Sequence, residues 1–315
     1  MRNPKIYIGP MSKNIVDCCI EFNNGENKVG LIPSRRQIEK GGGYVNGWDT
    51  KSFSNYCSDI LIKRDHAGPN QGKVEDDGFD SLKEDCKYVD YIHIDPWKKY
   101  PIYKDGLEET IKMINYCYGL NNEVRYEVGT EESIRPFSVD EVFQLIMDLK
   151  ISLPAKIFDK VDYLVIQSGT SLKGNQNTGD YSRERLSQMI EVCRSYDILS
   201  KEHNGDYIDP AIIKEKMSLG LDSINIAPEF GLVETQTYLD HGIDIDEFWQ
   251  ICFKSGKWKK WVDSNFDPHA QKIDLIKICG HYVFSDPSFI SIKPDVDEQI
   301  KDNIFSKLKK LYEQT

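Results

Sequence analysis

Two histidines that lie far apart in the chain, each beside acidic residues, are the residues best suited to chemistry. His66 belongs to the segment Arg-Asp-His-Ala-Gly-Pro-Asn at 64–70, and His203 belongs to the segment Glu-His-Asn-Gly-Asp-Tyr at 202–207. Each follows a short apolar run, at 60–62 and 198–199, that is typical of a strand. A neutral imidazole beside a carboxylate is a common ligand of divalent metal ions. The pattern therefore suggests a metal site where two strands end, and the alternative is two unrelated loop histidines.

Composition limits the class of protein. The 315 residues include 51 acidic and 40 basic side chains, and the net charge of -11 argues against nucleic acid and against an anionic membrane as partners. No apolar run reaches the length of a membrane span, and the N-terminus lacks the apolar core of a signal peptide. The eight cysteines are scattered without a Cys-x-x-Cys pair, so we expect reduced core residues in a cytoplasmic protein.

Short β-rich runs alternate with longer helical patterns along the first 240 residues. The candidate strands are 5–9, 29–33, 59–63, 91–95, 124–128, 163–167, 198–201 and 223–227. Eight strands that alternate with helices predict a parallel (β/α)8 TIM barrel over residues 1–240. A doubly wound open sheet is the alternative, but no glycine-rich dinucleotide or phosphate motif follows the first strand.

The remaining residues, 241–315, have a different pattern. Aromatic segments at 248–253 and 258–262 and an amphipathic segment at 295–312 predict helices, whereas 278–284 predicts a strand or an extended segment. No linker separates this part from the barrel. We therefore expect a C-terminal helical extension that packs on the barrel and is not an independent domain.

Acids, amides and imidazoles stand at the ends of most predicted strands. In a barrel of parallel strands these ends meet at one mouth, where the active site lies. The residues at that mouth would be Ser34, Arg35 and Arg36 after the second strand, Asp65 and His66 after the third, His93 and Asp95 on the fourth, Glu131 and Glu132 after the fifth, Gln167 on the sixth, and His203 and Asp206 after the seventh. The alternative is a set of separate polar loops.

The residue types suggest which side chains would bind a metal. His66 and His203 are the predicted nitrogen ligands, and Glu131 and Gln167 are the predicted oxygen ligands. Mixed nitrogen and oxygen coordination suits zinc first, with manganese or cobalt as alternatives. His93 is more typical of a structural histidine.

Three carboxylates are candidates for proton transfer. Asp65 comes first because it adjoins His66, and Glu132 and Asp95 follow. Ion pairs with nearby arginines, or positions at helix N-termini, would also explain these acids.

Several polar residues are predicted to hold the substrate. Arg35 and Arg36 suit a phosphate or a carboxylate, and Lys173 in the polar loop 172–179 is a further candidate for binding an anion. Ser34, Asn70 and Asp206 complete the predicted substrate-binding set. For the two arginines the alternative is pairing with surface acids.

The same residues carry a family resemblance. The chain resembles the so-called non-catalytic subunit family of class II D-tagatose-1,6-bisphosphate aldolase. The family's Gly-Asp-His-Leu-Gly-Pro-Asn is similar to 64–70, its Ile-His-Leu-Asp to 92–95, its Ile-Gly-Thr-Glu to 128–131 and its Ala-His-Ser-Thr-Asp-Tyr to 202–207. The matches run in order over residues 5–240. Arg35, Arg36 and Glu229 replace smaller residues of the family, and these departures concern the substrate more than the metal.

The resemblance implies a TIM barrel with a divalent metal that holds a ketose carbonyl. Related members are metal-dependent epimerases that invert C4 of ketoses, ketose phosphates or tagaturonate by retro-aldol cleavage and re-addition, and some members are partner subunits of a catalytic aldolase. We therefore expect a metal-dependent aldolase or C4 epimerase that acts on a ketose or ketose phosphate. The alternative is a non-catalytic partner subunit. The protein partner that the resemblance implies is a second copy of the chain or a companion aldolase subunit.

Overall fold

A computed structural model describes residues 3–26 and 28–315. In chain order its strands are β1 (Ile6–Ile8), β2 (Val29–Leu31), β3 (Lys63–Ala67), β4 (Tyr91–Ile94), β5 (Arg125–Val128), β6 (Val161–Ile166), β7 (Leu172–Lys173), β8 (Gln176–Asn177), β9 (Leu199–Glu202) and β10 (Ser223–Ile226). Within the described residues, eight of these strands form one parallel sheet in the order β2-β1-β10-β9-β6-β5-β4-β3. The short strands β7 and β8 form a separate antiparallel hairpin in the loop after β6.

The parallel sheet closes on itself. Single parallel bridges pair Leu31 with Ile62 and Ser34 with Asp65, and they join β2 to β3, the two strands at the ends of the sheet order. Strand alternates with helix around the ring, so the predicted (β/α)8 barrel is confirmed. The ring brings the carboxyl ends of all its strands to one mouth.

Helices connect the ring strands and pack around them. They are α1 (Lys13–Asn23), α2 (Thr50–Tyr56), α3 (Phe79–Tyr88), α4 (Tyr103–Leu120), α5 (Val139–Ser152), α6 (Ala155–Phe158), α7 (Arg183–Arg194), α8 (Pro210–Leu219) and α9 (Pro228–Asp240). Their starting points follow from local sequence: Ser138 and Glu141 form a capping box at α5, and Asp209 caps α8. These caps fix the residues at which the helices begin and at which the preceding loops of the mouth end.

Polar side chains fill part of the barrel interior beneath the mouth. Lys63 on β3 and Lys201 on β9 are completely buried, and Lys63 Nζ lies 3.4 Å from the ring centre of Tyr163. Gly30 on β2 makes room for the Tyr7 ring, because a Cβ atom at position 30 would lie 2.6 Å from that ring. This layer therefore places charged groups directly below the strand ends.

Strand β3 differs from its predicted position. The expected strand at 59–63 ends where the observed strand begins, and the pairing of β3 with β4 shifts register between Arg64 and Ala67. His66 within this irregular stretch has a φ of 45°, in the left-handed region. Such a bulge breaks the alternation of faces, so the neighbouring residues Asp65 and His66 both line the mouth.

The C-terminal extension consists of α10 (Ile245–Ser255), a 3-10 turn (Lys257–Lys260), α11 (Lys272–Cys279), a second 3-10 turn (Gly280–Tyr282), α12 (Pro287–Ile292) and α13 (Asp297–Tyr312). The expected strand at 278–284 is wrong, because Leu275 and Cys279, one helical turn apart, are both buried and continue the apolar face of α11. Helix α13 packs against α1 and α9. No helix in the described part of the chain is long and apolar enough to cross a bilayer.

Candidate functional site

A cavity of about 320 Å³ opens at the mouth of the barrel. Its wall combines residues at the strand ends with residues of the C-terminal extension, which contributes Lys260, Trp261, His281 and Tyr282. Asp65, His66 and His203 line the cavity. The mouth of the barrel is therefore a concave pocket that is partly open to solvent.

Four side chains meet at one point of this mouth, and we call them the histidine cluster: Asp65, His66, His93 and His203. One nitrogen or oxygen atom from each lies within 4.8 Å of the corresponding atoms of the other three. The Asp65 carboxylate is 3.7 Å from His66 Nε2 and 3.8 Å from Nδ1 of both His93 and His203. The prediction did not include His93 in this group.

One ring nitrogen of each imidazole donates a hydrogen bond to another group of the protein. His66 Nδ1–H donates to Asp95 Oδ2 at 2.6 Å, and His203 Nε2–H donates to Glu127 Oε1 at 2.7 Å. His93 donates from Nε2 to the carbonyl oxygen of Gly129 at 3.0 Å. Bonds of this kind fix the ring orientation and tautomer of metal-binding histidines.

Glu127 itself is part of a buried charge network. It is completely buried on β5, and Lys201 Nζ donates to its Oε2 atom at 2.9 Å. Lys63 Nζ lies 3.0 Å from the same oxygen. Burial opposes the negative charge, but the two lysines and His203 outweigh it and hold the pKa of Glu127 well below its ordinary value. The acceptor for His203 is therefore a carboxylate.

The charges inside the cluster depend on one another. Burial opposes ionisation of Asp65, but the three histidines outweigh that effect and lower the pKa of Asp65. Burial likewise opposes a charge on His66, but Asp65 and Asp95 raise the pKa of His66 to about 10. For His203 the burial dominates and its pKa is lowered. The cluster thus contains an ionised acid and favours a positive charge beside it.

The donor set fits a divalent metal ion. One donor atom of each of His66, His93 and His203 lies within 4.8 Å of those of the other two, so the imidazoles would have to move closer together to reach the roughly 3.3 Å between neighbouring ligands of a tetrahedral zinc ion. His93 Nδ1 accepts the backbone N–H of His66 at 3.2 Å, so this bond must open for His93 to act as a ligand. A divalent cation would take the place of the positive charge that His66 carries here.

The structure does not bring the two predicted oxygen ligands into the cluster. The Gln167 amide donates to the carbonyl oxygens of Thr130 and Arg135 and accepts the backbone N–H of Phe137, so its polar atoms are already satisfied. Glu131 lines the cavity, where it accepts from Ser133 Oγ at 2.9 Å. Of the four predicted ligands, only His66 and His203 lie in the cluster.

The three predicted proton-transfer residues have different surroundings. The side chain of Asp65 is 15% exposed and faces the cavity. Asp95 is fully buried behind His66 and also accepts from Thr130 Oγ1, so it is placed to orient the imidazole. Glu132 forms an ion pair with Arg185 at 2.7 Å. Only Asp65 has free access to a molecule in the cavity.

The predicted substrate-binding residues divide in the same way. Ser34, Arg36 and Asp206 line the cavity. Arg35 lines it too, but its guanidinium is bound by Glu39 and Asp76 and is therefore neutralised.

Two predicted substrate-binding residues lie elsewhere. Asn70 Oδ1 accepts the backbone N–H of Asp76, which uses this side chain inside its own loop. Lys173 pairs with Asp263 at 3.2 Å in a separate groove beside the β7–β8 hairpin.

Sequence reasoning gave no metal-binding or substrate-binding role to His93, Lys98, Asn225 and Lys260. His93 was visible in the His-x-Asp pattern at the end of the fourth strand, but the pattern does not show which way the ring points. Asn225 stood at a strand end and was not given a role. Lys98 and Lys260 had no local signal, because only tertiary packing brings their segments to the mouth.

No protein-family model matches this chain, and no curated protein sequence is similar to it. Solved structures do match its fold. A probable tagatose 6 phosphate kinase from Sinorhizobium meliloti 1021 has a TM-score of 0.79 at 13% identity, and the match covers 100% of both chains. The fructuronate-tagaturonate epimerase UxaE from Cohnella laeviribosi has a TM-score of 0.70 at 11% identity, covering 99% of this chain and 81% of the epimerase.

A third similar structure is the YdjI aldolase from Escherichia coli K12, with a TM-score of 0.57 at 11% identity over 98% of this chain and 91% of the aldolase. At such low identity these likenesses concern the fold. They agree with the motif resemblance, which pointed to the same group of aldolase-like and epimerase proteins. The resemblance is thus confirmed at the level of the fold: the chain has the barrel that the fructuronate-tagaturonate epimerase and the YdjI aldolase also have.

Proposed function

We propose that this protein is a metal-dependent enzyme that breaks or forms the C3–C4 bond of a ketose or ketose phosphate, as an aldolase or as a C4 epimerase. The observation that carries the proposal is the histidine cluster, in which three oriented imidazoles and an ionised carboxylate meet at the wall of the pocket, with Asp65, His66 and His203 lining it. The fold shared with an aldolase and an epimerase supports the same class of reaction.

His66, His93 and His203 would hold the metal, with zinc as first choice and manganese or cobalt as alternatives. When bound, the ion supplies Lewis acidity that stabilises negative charge on a ketose oxygen. Asp95, Glu127 and the carbonyl of Gly129 keep the three rings in position. Glu131 at the cavity wall is a further oxygen donor within the pocket.

Asp65 performs the proton transfer. Its carboxylate is ionised and faces the cavity, so it can take the proton of the substrate's C4 hydroxyl. The electrons of that O–H bond then form the C4 carbonyl as the C3–C4 bond breaks, and the electrons of the broken bond move into an enediolate at C2 and C3. In an aldolase the aldehyde leaves, and the proton that Asp65 took is returned to C3 of the enediolate, which is released as the smaller ketone. In an epimerase the aldehyde rotates within the site, the C3–C4 bond forms again on the other face of its carbonyl group, and Asp65 returns the proton.

Buried amide groups suit the hydroxyl groups of a sugar. Asn225 on β10 is only 4% exposed and lines the cavity, and neither atom of its amide has a hydrogen-bond partner among the described residues. Buried polar atoms are rarely left without partners unless a ligand or water completes them. Asn225 is therefore our candidate for binding a substrate oxygen.

The alternative function is a non-catalytic partner subunit of a companion aldolase. Such a subunit needs no ionised acid in a substrate pocket. We place the protein in the cytoplasm, a proposal supported by its eight buried and unpaired cysteines.

The test is a screen of the purified protein, loaded with zinc, manganese or cobalt, against ketoses, ketose phosphates and keto-uronates. Nuclear magnetic resonance would detect either cleavage to smaller sugars or the C4 epimer. We expect Asp65→Asn to lower kcat by about 10²–10⁴-fold with metal content unchanged. Lys173→Gln, outside the cavity, should leave turnover unchanged.

Two results would contradict the proposal. Full turnover by the Asp65→Asn variant would remove Asp65 from the mechanism. Absence of turnover by the metal-loaded protein on every sugar of the screen would favour the partner-subunit alternative.

A further inference from the structure

Three positively charged side chains line the cavity without an acidic partner, and we call them the cationic rim: Arg36, Lys98 and Lys260. Among the described residues, no carboxylate oxygen lies within 4.0 Å of their nitrogen atoms, the limit for an ion pair. Arg36 and Lys98 reach only the carbonyl oxygens of Gly72 and Asn70, over long distances of 3.4 and 3.5 Å.

Aromatic rings hold the third member of the rim. Lys260 Nζ lies 4.3 Å from the ring centre of Trp261 and 5.4 Å from that of Tyr282. Trp261 donates from its indole nitrogen to the Tyr282 hydroxyl at 3.2 Å, which ties the two rings together. Cation–π contacts position an ammonium group and leave its charge available for an anion.

The chain has more acidic than basic residues, 51 to 40, and cations near the rim do find acidic partners. The neighbouring Arg35 is bound by Glu39 and Asp76, and Lys173 is bound by Asp263. Other lysines of the described residues also lack an ion pair, but Arg36, Lys98 and Lys260 differ from them in lining one cavity together.

The members of the rim repel one another. Desolvation in the cavity, together with Arg36, Lys98 and Lys257, lowers the pKa of Lys260 to about 7, although the more distant carboxylate of Glu131 acts in the opposite direction. Burial and Arg36 lower the pKa of Lys98 in the same way. A bound anion would relieve this repulsion.

The usual phosphate position of a TIM barrel is closed in this chain. That position lies at the loops after the seventh and eighth strands, beside the N-terminus of a helix. Here the corresponding strands are β9 and β10, and Asp206 accepts the backbone N–H groups of Ala227 and Glu229 at the start of α9, at 2.9 and 2.8 Å. The carboxylate of Asp206 thus occupies the donors that a phosphate would use, and Glu229 adds a second acid.

We propose that the substrate carries an anionic group, a phosphate or a carboxylate, that binds to Arg36, Lys98 and Lys260 on the side of the mouth opposite β9 and β10. The C-terminal extension is then part of the substrate site, because it supplies Lys260. This inference rests on the proposed function for the rest of the substrate, a ketose. The anion site itself does not depend on the histidine cluster.

The test is isothermal titration of the full-length protein with inorganic phosphate and, separately, with D-glucuronate as a carboxylate probe. Treatment with a chelator beforehand prevents either probe from binding an ion at the histidine cluster. We expect one probe to bind, and Lys260→Gln and Arg36→Gln each to weaken it by about tenfold, the loss of one charge-assisted hydrogen bond. Lys173→Gln removes a paired lysine outside the cavity and should have no effect.

The probe that binds identifies the anionic group. Equal affinity of the Lys260→Gln variant and the unaltered protein for both probes would overturn the inference, and so would the absence of binding to the unaltered protein. Weakened binding in the variant, combined with no turnover of any ketose, would support the anion site while contradicting the proposed function. The two proposals can therefore fail separately.

Discussion

The histidine cluster and the cationic rim share one cavity, but they differ in how their charges are balanced. Each imidazole of the cluster has its outer nitrogen bound by a protein acceptor, and Asp65 balances the charge between the rings. The members of the rim have no acidic partner in the described part of the chain. The comparison indicates that the cluster is oriented before any ligand arrives, whereas the rim is completed only by an anion.

The two regions also come from different parts of the fold. The cluster is built from β3, from β4 and from the residue after β9, so the barrel itself fixes its geometry. The rim combines the loops after β2 and β4 with the 3-10 turn Lys257–Lys260 of the extension. A change of substrate in evolution would therefore alter the rim more readily than the cluster.

The largest expected effect is that of Glu127→Gln, which removes the acid behind His203. The change leaves Lys63 and Lys201 buried without a counter-charge, and breaking a buried ion pair in this way costs about 3–5 kcal/mol. Urea denaturation should show that loss in the free energy of unfolding. Glu131→Gln, at the cavity wall, is the control and should change it little; equal stabilities would show that the buried network does not support the cluster.

Glu234 offers the opposite case to Glu127, because this buried glutamate forms no ion pair among the described residues. It accepts hydrogen bonds from Asn14 at 2.8 Å and from the hydroxyls of Ser12 and Tyr238. Burial raises its pKa from 4.5 to about 7. Because the folded state prefers the protonated acid, its contribution to stability is complete below about pH 4.5 and is lost as the pH rises to about 7.

We therefore expect the unaltered protein to lose about 3 kcal/mol of stability relative to the Glu234→Gln variant between pH 4.5 and pH 7. Urea denaturation of both proteins across this range measures the difference. Other titrating groups are common to both and cancel. Parallel stability curves would mean that Glu234 ionises in the folded protein as it does in the unfolded chain.

A smaller effect is expected for Asp95→Asn, which weakens the orientation of His66. Replacing a partner behind a metal ligand typically lowers metal affinity by about 10–100-fold. Competition with a fluorescent chelator would measure it. Glu132→Gln, whose carboxylate pairs with Arg185 away from the cavity, should bind metal as the unaltered protein does; a similar loss in both variants would point to a general disturbance of the mouth.

The smallest expected effect is that of salt, which should weaken substrate binding at the cationic rim more than metal binding at the histidine cluster. Raising the ionic strength from about 0.01 to about 1 M shortens the Debye length from about 30 to about 3 Å, and exposed charges are screened most. Lys98 and Lys260 are exposed at the rim, whereas His93 and His203 are buried. The KM of an anionic substrate should rise several-fold and the metal affinity should change little; the reverse pattern would contradict the comparison.

The sequence was sufficient to predict the barrel and part of its site. Asp65, His66 and His203 follow apolar runs of parallel strands, and the barrel requires such residues to meet. The position of β3 was not predictable, because a bulge has no local signature that outweighs the apolar run at 60–62. The inclusion of His93 depends on that bulge, since Asp65 faces it only after the register shift.

The rim shows a second limit of sequence reasoning. Arg35 and Arg36 are adjacent and chemically alike, and only the folded structure shows that Arg35 finds two acids while Arg36 finds none. Lys260 comes from a segment that follows the barrel by some distance along the chain. Its position depends on tertiary packing of the extension, which local patterns do not encode.

The most direct test of the account is the metal content of the purified protein, measured by elemental mass spectrometry beside two variants. We expect about one divalent ion per chain in the unaltered protein and almost none in His203→Ala, because a structural or catalytic site loses its ion with a ligand. His269→Ala, an exposed histidine of the extension, should retain the full content. Equal metal in His203→Ala and the unaltered protein, or no metal in any of the three after loading with zinc, manganese and cobalt, would contradict the histidine cluster as a metal site.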